Sequence, residues 1–275
     1  MVSRIERKLA EVQRWVDSVE SVVDWPAAIA LAMFRTRPAE GHGLIARIAR
    51  SLFPYFWVGP DCLHGLRVRI DPADLSQFVI YEEVFIDRVY EMDRVGFVPD
   101  AILDCGAYQG YFSLLAHARF STATIVAFEP NDRNYEGLVA NIKRNQLAID
   151  PRAEAVSTSD GTATFSGGGC GGRLTTAGVD AVVVKVTDLR RVIAELQPQR
   201  LLLKLDIEGE EARLLPALLP ALPLRCAIFF EWHHGADAYH HAAAVLAAHH
   251  FTTTLTRENR VDGDTVFIDA FAQRL

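Results

Sequence analysis

From Ala101 onward, short apolar runs alternate with stretches in which apolar residues recur at three- and four-residue steps. Runs of that length read as buried strands. Strands separated by amphipathic helices pair in parallel, because each helical crossover carries the chain back to the same end of the sheet. Strands are expected at 101–104, 124–129, 153–157, 201–206 and 227–231, with helices at 111–118, 133–145 and 188–196. A helix at 238–249 follows, then runs at 252–256 and 265–271 separated by Asn259, Asp262 and Gly263, the pattern of an antiparallel hairpin. The fold class is therefore α/β: a mostly parallel sheet, finished by an antiparallel hairpin and flanked by helices.

Ahead of this pattern, Ile5, Leu9, Val12, Val16, Val19 and Val23 recur at helical steps, with Arg4, Lys8, Arg14, Asp17 and Glu20 mostly between them. Such a helix needs a partner for its apolar face, either its own domain or a second copy of the chain. Its charges are mixed in sign, which argues against a membrane surface. Leu66, Val68 and Ile70 alternate with Arg67, Arg69 and Asp71 as a half-buried strand that Pro72 closes, and residues 78–90 return to helical spacing before Gly96 and Pro99. Residues 1–98 thus read as an N-terminal helical extension and lid, and 99–275 as the main domain.

Half of the 275 residues are hydrophobic, enough to bury one substantial core. The 28 basic residues against 35 acidic ones leave no broad basic surface for a phosphate backbone, which disfavours nucleic acid as a partner. Cys62, Cys105, Cys170 and Cys226 are scattered, with no C-x-x-C pair and no zinc-type spacing. Reduced thiols in a cytoplasm are the simplest reading. No signal peptide is evident, and no run approaches the roughly 20 apolar residues of a membrane span.

The chemistry concentrates where strands end. Ile102-Leu103-Asp104-Cys105-Gly106-Ala107-Tyr108-Gln109-Gly110-Tyr111-Phe112 runs an apolar strand through an acid and two glycines into a helix. Open α/β sheets bind ligands at the carboxyl ends of their strands, and glycine there permits close backbone approach. A dinucleotide fold wants G-x-G-x-x-G at this turn, whereas this chain has G-x-x-x-G preceded by an acid that would repel a pyrophosphate. Asp104 suits a cationic amino group instead. The next strand ends in Glu129-Pro130-Asn131, and a carboxylate one βα unit after the glycine turn can grip two ribose hydroxyls.

Further blocks follow in order: Asn141 and Asn145 at a helix end, Ala155-Val156-Ser157 running through Gly161 to Phe165, and Lys204-Leu205-Asp206-Ile207-Glu208-Gly209. Together with the glycine turn and Phe128-Glu129-Pro130-Asn131, they resemble the FkbM-type methyltransferases over about residues 65 to 255. The resemblance implies a Rossmann-like class I methyltransferase sheet and S-adenosylmethionine as cofactor. It implies that Asp104, Gly106, Ala107, Gly110 and Tyr111 surround the methionine part, that Glu129 with Pro130 holds the ribose, and that Ser157 lies near the adenine. The glycine-rich stretch from Phe165 to Gly172 lacks a phosphate-loop ending and reads as flexible.

Lys204, Asp206 and Glu208 alternate along an otherwise apolar strand, so period-two geometry aims them to one side. Charges are not placed in a buried strand without partners, and Lys204 fits an internal pair with Asp206 or Glu231. Asp206 at the strand tip, Glu231 on the next strand and His233 beyond it form the candidate catalytic group, His233 having an ordinary pKa suited to removing a hydroxyl proton. No metal ligand set is assigned, although Asp206, Glu208, Glu231 and His233 could alternatively hold magnesium or manganese.

The expected activity is methyl transfer to a hydroxyl oxygen of a sugar, glycan or polyketide-like natural product, with a homodimer through the N-terminal helix as a possible assembly. Rival readings are a nicotinamide oxidoreductase, disfavoured by the missing third glycine, an RNA methyltransferase, disfavoured by the acidity, and a methyltransferase-like domain that merely binds. Phe56, Trp57, Tyr81, Tyr90 and Trp232 could stack on an acceptor ring or serve as core residues.

Overall fold

The computed structural model describes residues 4–21, 24, 26–29, 55–71, 74–167, 171–175, 181–261 and 264–275. The chain divides into two compact units, Met1–Val89 with Ala140–Leu147, and Tyr90–Val139 with Ala148–Leu275.

In the first unit, α1 (Arg4–Asp17) is amphipathic as expected, but its buried centre is Trp15, and Leu9 is 64% exposed. Val23 lies outside the described residues. Trp15 stacks on Tyr81 with ring centroids 4.6 Å apart and donates Nε1–H to Glu82 at 3.2 Å. An indole can be buried at this cost only because its N–H finds an acceptor, and Val12, Val16 and Val19 line the same side, half-buried to buried. A short strand β1 (Phe56–Val58) pairs antiparallel with β2 (Val68–Ile70). The backbone N–H groups of Arg67 and Arg69 donate to the side-chain amides of Asn145 and Asn141, at 2.8 and 2.9 Å. These asparagines therefore act as a substitute strand edge. Helix α2 (Leu75–Tyr81), capped by Asp74, continues through a wider turn over Glu82–Ile86.

The second unit is built on β3 (Ala101–Cys105), α3 (Tyr111–Arg119), β4 (Thr124–Phe128), the part of α4 (Asp132–Asn145) up to Val139, and β5 (Ile149–Arg152). A second group of strands, β6 (Glu154–Ser157), β7 (Gly161–Ser166), β8 (Arg173–Thr175) and β9 (Val182–Asp188), leads into α5 (Leu189–Leu196). Then come β10 (Arg200–Leu205), α6 (Glu211–Leu218), β11 (Arg225–Trp232), α7 (Gly235–Ala248), β12 (Thr252–Val261) and β13 (Asp264–Arg274). The main sheet has seven strands in the order β5-β4-β3-β10-β11-β13-β12. Strands β5 to β11 run parallel, while β13 lies antiparallel to both β11 and β12. Its central strands are buried on both faces, which is why they read as continuous apolar runs: Leu201, Leu202, Leu203 and Leu205 have no exposed surface. Each such leucine contributes roughly 2 kcal/mol of burial.

Two expectations need correction. The third strand of the main sheet is β5, with Pro151 tolerated at an edge. The 153–157 run belongs instead to the separate four-stranded sheet, in the order β6-β9-β7-β8, that no apolar run announced. Helix α6 was also not expected, because Pro216 stands inside it. Residues 168–170 of the glycine-rich stretch lie outside the described residues, and no described helix is long and apolar enough to cross a membrane.

Candidate active site

Strand order reverses at β3. From β3 the chain steps outward to β4 and β5, and it then returns to place β10 on the other side. The crevice beyond the carboxyl ends of β3 and β10 is the topological switch point, where open α/β sheets bind ligands. The two strand ends are locked together, since Asp206 N–H donates to the Cys105 carbonyl at 3.1 Å.

The glycine turn follows β3. Gly106 and Ala107 both donate N–H to the Phe128 carbonyl, at 3.1 and 2.8 Å, which folds the turn toward β4. Gly106 has φ +81°, and a Cβ there would run into the Asp206 carbonyl; Gly110, φ +80°, opens α3 against Leu138. The close approaches that require these glycines are thus to the protein's own chain. Tyr108, also left-handed at φ 51°, points its N–H at the Glu129 carboxylate, 2.7 Å away. Asn131 N–H donates to the other oxygen at 2.8 Å. Burial outweighs these bonds and pushes Glu129 up to about 7. The Asn134 side chain adds a third bond, and since a carboxylate has about four acceptor sites, capacity remains for a ribose hydroxyl.

Asp104 is fully buried. One oxygen accepts from Ser113 Oγ at 2.6 Å, and the other accepts no hydrogen bond, Lys204 Nζ standing 3.6 Å from it. Burial raises its carboxyl above the usual range, against the pull of Lys204 and Ser113. Tyr111 is buried beside Tyr108 in an edge-on contact of 6.0 Å, and Pro130 is half-buried. Ser157, buried at the end of β6, accepts a hydrogen bond from Arg213 Nη2.

Lys204 bridges the two strand ends. Its ammonium donates to the Gly106 carbonyl at 2.7 Å and lies 3.2 Å from Asp206. Burial alone would lower this lysine, but Asp206, Tyr90 and Asp104 outweigh it and hold it well above its ordinary value. The expected internal pair is therefore made with Asp206, and with Asp104 as a second partner.

Beyond Lys204 stand Asp206, Glu208, Glu231 and His233, all partly exposed. His233 Nε2 lies 3.0 Å from Glu231 and 3.4 Å from Glu208, and Nδ1 lies 3.4 Å from Glu211. Burial would lower the imidazole, but Glu211 and Glu231 more than offset this and push it up to about 11. These acids therefore favour the imidazolium form. The surroundings thus disfavour a ring poised to take a proton, and Glu211 is the neighbour that the sequence reading did not place beside it. Glu231 is raised above the usual carboxylate range, first by burial and then by Asp206. Sequence reasoning missed two further acids. Asp269 pairs across from Glu231 in the β11–β13 register and binds Arg257 at 2.5 Å, and Glu211 opens α6. Only a lone charge between the apolar residues of the last strand signalled Asp269.

Of the aromatic candidates, Tyr81 and Trp232 are core residues. Tyr90 packs edge-on against Phe112 and Phe229, at 4.9 and 5.6 Å, and Lys204, Asp206, Glu231 and Asp269 all act electrostatically on its hydroxyl.

This sheet order, with an antiparallel strand inserted beside the outermost parallel one and a glycine turn at the switch point, defines a class I methyltransferase. The profile of the family described as "Methyltransferase FkbM domain" matches residues 104–253, more than half of the chain, and the chain belongs to that family of S-adenosylmethionine-dependent methyltransferases. It is 31% identical over 188 residues to the 31-O-demethyl-FK506 methyltransferase FkbM of Streptomyces tacrolimicus, which covers 55% of this chain and 72% of that protein. Over 121 residues it is 35% identical to the AMB antimetabolite synthetase AmbE of Pseudomonas aeruginosa, spanning 40% of this chain and only 6% of the synthetase. Methyltransferase sdnD of Sordaria araneosa is 36% identical over 89 residues, 32% of this chain and 34% of that one. Among solved structures, a methyltransferase FkbM from Methylobacillus flagellatus KT is similar at a TM-score of 0.44 and 13% identity, covering 98% of this chain and 59% of that one. M. jannaschii TYW2, in complex with AdoMet, is similar at 0.46 and 14%, covering 81% and 87%.

Proposed function

We propose that the chain methylates a hydroxyl oxygen on a sugar, glycan or polyketide-like natural product. The observation that carries the cofactor half of this reading is the pair of acids at adjacent strand tips beside the switch point. Glu129 is held by two backbone N–H groups and the Asn134 side chain with acceptor capacity remaining, and Asp104 is buried beneath the glycine turn. The residues present fit S-adenosylmethionine: Glu129 and Pro130 for the ribose, Gly106, Ala107, Gly110 and Tyr111 around the methionine end, and Ser157 toward the adenine. Asp104 contributes from below by fixing Ser113 and Lys204.

When bound, S-adenosylmethionine supplies a sulfonium methyl whose S–C bond breaks as the O–C bond forms. The protein's share is alignment and removal of the hydroxyl proton. Glu231 accepts that proton in its ionised form, a role its raised carboxyl favours above neutral pH, and Lys204 holds Asp206 in place beside it. The choice of oxygen is supported by the Streptomyces relative, a 31-O-demethyl-FK506 methyltransferase. The same proposal takes residues 1–98 as a lid over the acceptor, α1 with its exposed Leu9 as the contact of a homodimer, and the cytoplasm as the location.

Isothermal titration with S-adenosylmethionine, S-adenosylhomocysteine and NAD tests the cofactor. Binding of both sulfur ligands and none of NAD is expected. Binding of NAD, or of nothing, would turn the reading to an oxidoreductase or a degenerate domain.

A further inference from the structure

We infer that Asp206, Glu208 and His233 form a divalent-cation site of the magnesium or manganese type at the mouth of the crevice. One carboxylate oxygen from each acid and one ring nitrogen lie within 4.8 Å of one another. Donors bound about 2.1 Å from a single ion stand about 3 Å apart when adjacent and about 4 Å apart when opposite, so the cluster has nearly the span of a coordination shell. Oxygen donors with one imidazole suit manganese or magnesium better than a thiolate-seeking metal.

A second observation lies outside the cluster. Glu211 is completely inaccessible, and its carboxylate takes the N–H groups of Ile207 and Gly209, both at 2.9 Å. Those residues flank Glu208, so Glu211 fixes the loop from which Glu208 projects. The same carboxylate lies 3.4 Å from His233 Nδ1, which leaves Nε2 as the ring atom turned toward Glu208 and Glu231. A buried acid behind the far nitrogen of a histidine is the usual support of a metal-binding imidazole, and Glu211 stands 3.4 Å from an Nδ1 that makes no hydrogen bond elsewhere. One inaccessible side chain thus orients two of the three donors.

Countercharge is scarce at this spot. Lys204 is shared between Asp104 and Asp206, and Arg257 is engaged by Asp269. Among the described residues, the ion-pair partner of both Glu208 and Glu231 is His233, and an ion bound at Nε2 would release the ring proton held there. A cation bound by three protein donors keeps positions for water or an acceptor oxygen. That use of the site rests on the methyl-transfer reading, whereas binding of the ion does not.

The test is an electron paramagnetic resonance titration of chelator-treated, full-length protein with Mn2+, reading the signal of the free ion. One Mn2+ per chain is expected, displaced by excess Mg2+. Asp206→Asn and Glu208→Gln should each weaken binding at least tenfold, and Glu211→Gln by about 10- to 100-fold through loss of orientation, with circular dichroism verifying the fold of each variant. Absence of Mn2+ binding, or binding that survives both Asp206→Asn and Glu208→Gln, would overturn the assignment. S-adenosylhomocysteine is titrated into the same protein with chelator present. Nucleoside binding without Mn2+ binding removes the cation site alone, and the reverse removes the cofactor reading alone.

Discussion

The acids of this sheet fall into two groups satisfied in opposite ways. Asp104 and Glu129 are shut in around the β3 and β4 ends, where fixed donors meet them: Ser113 and Lys204 for one, the N–H groups of Tyr108 and Asn131 for the other. Asp206, Glu208 and Glu231, at the ends of β10 and β11, keep part of their surface open to solvent and crowd around Lys204 and His233. The first group is built like a core and the second like a work surface. Loss of a partner should therefore cost stability in the first group and little stability in the second.

The largest effect is expected for Lys204→Met, which strips the buried Asp104 of its cation. Removing one partner of a buried ion pair costs about 3–5 kcal/mol, measurable by urea denaturation, and adding Asp104→Asn should restore part of it. A loss below about 1 kcal/mol would erase the contrast between the two groups.

The next effect concerns pH. Ribose hydroxyls donate to an ionised carboxylate, and Glu129 ionises only near 7. Affinity for S-adenosylhomocysteine should therefore fall by about tenfold for each pH unit below 7, a slope that calorimetry would read and that Glu129→Gln should abolish. The linked effect on the ligand-free protein has the opposite sense. A folded-state pKa above the ordinary glutamate value stabilises the fold at low pH, and that contribution is lost as pH rises through about 7. A flat affinity between pH 6 and pH 7 would put the ribose elsewhere.

The smallest effect belongs to the open group. Glu231→Gln should leave unfolding free energy within about 1 kcal/mol of the parent at neutral pH and nucleoside affinity unchanged, because Gln mimics the protonated form that burial already favours. A loss comparable to that of Lys204→Met would make Glu231 a structural residue.

How much of this was legible follows from the kind of physics each part uses. The strands β3, β4, β10 and β11 were readable because burial on both faces demands unbroken apolar runs. The small sheet of β6 to β9 was not, since Val182 and Val183 are exposed and Thr162 and Thr164 sit between apolar neighbours in β7. The glycine turn and Glu129 were found because their spacing along the chain is local. Glu211 and Asp269 were missed because their importance comes from register and loop closure, which bring them to His233 and Glu231 from elsewhere in the sequence. The charge state expected of His233 failed for the same reason.

The contact between Gly106 and the Asp206 carbonyl has a consequence for engineering. Any side chain larger than hydrogen at 106 must displace the backbone that carries Asp206, so the turn proposed for the nucleoside and the segment proposed for the acceptor share one atom-thick seam. Libraries that randomise these two segments separately will sample combinations whose effects do not add. Retargeting this scaffold to a new acceptor therefore requires that both segments be varied together, or that Gly106 be held constant throughout.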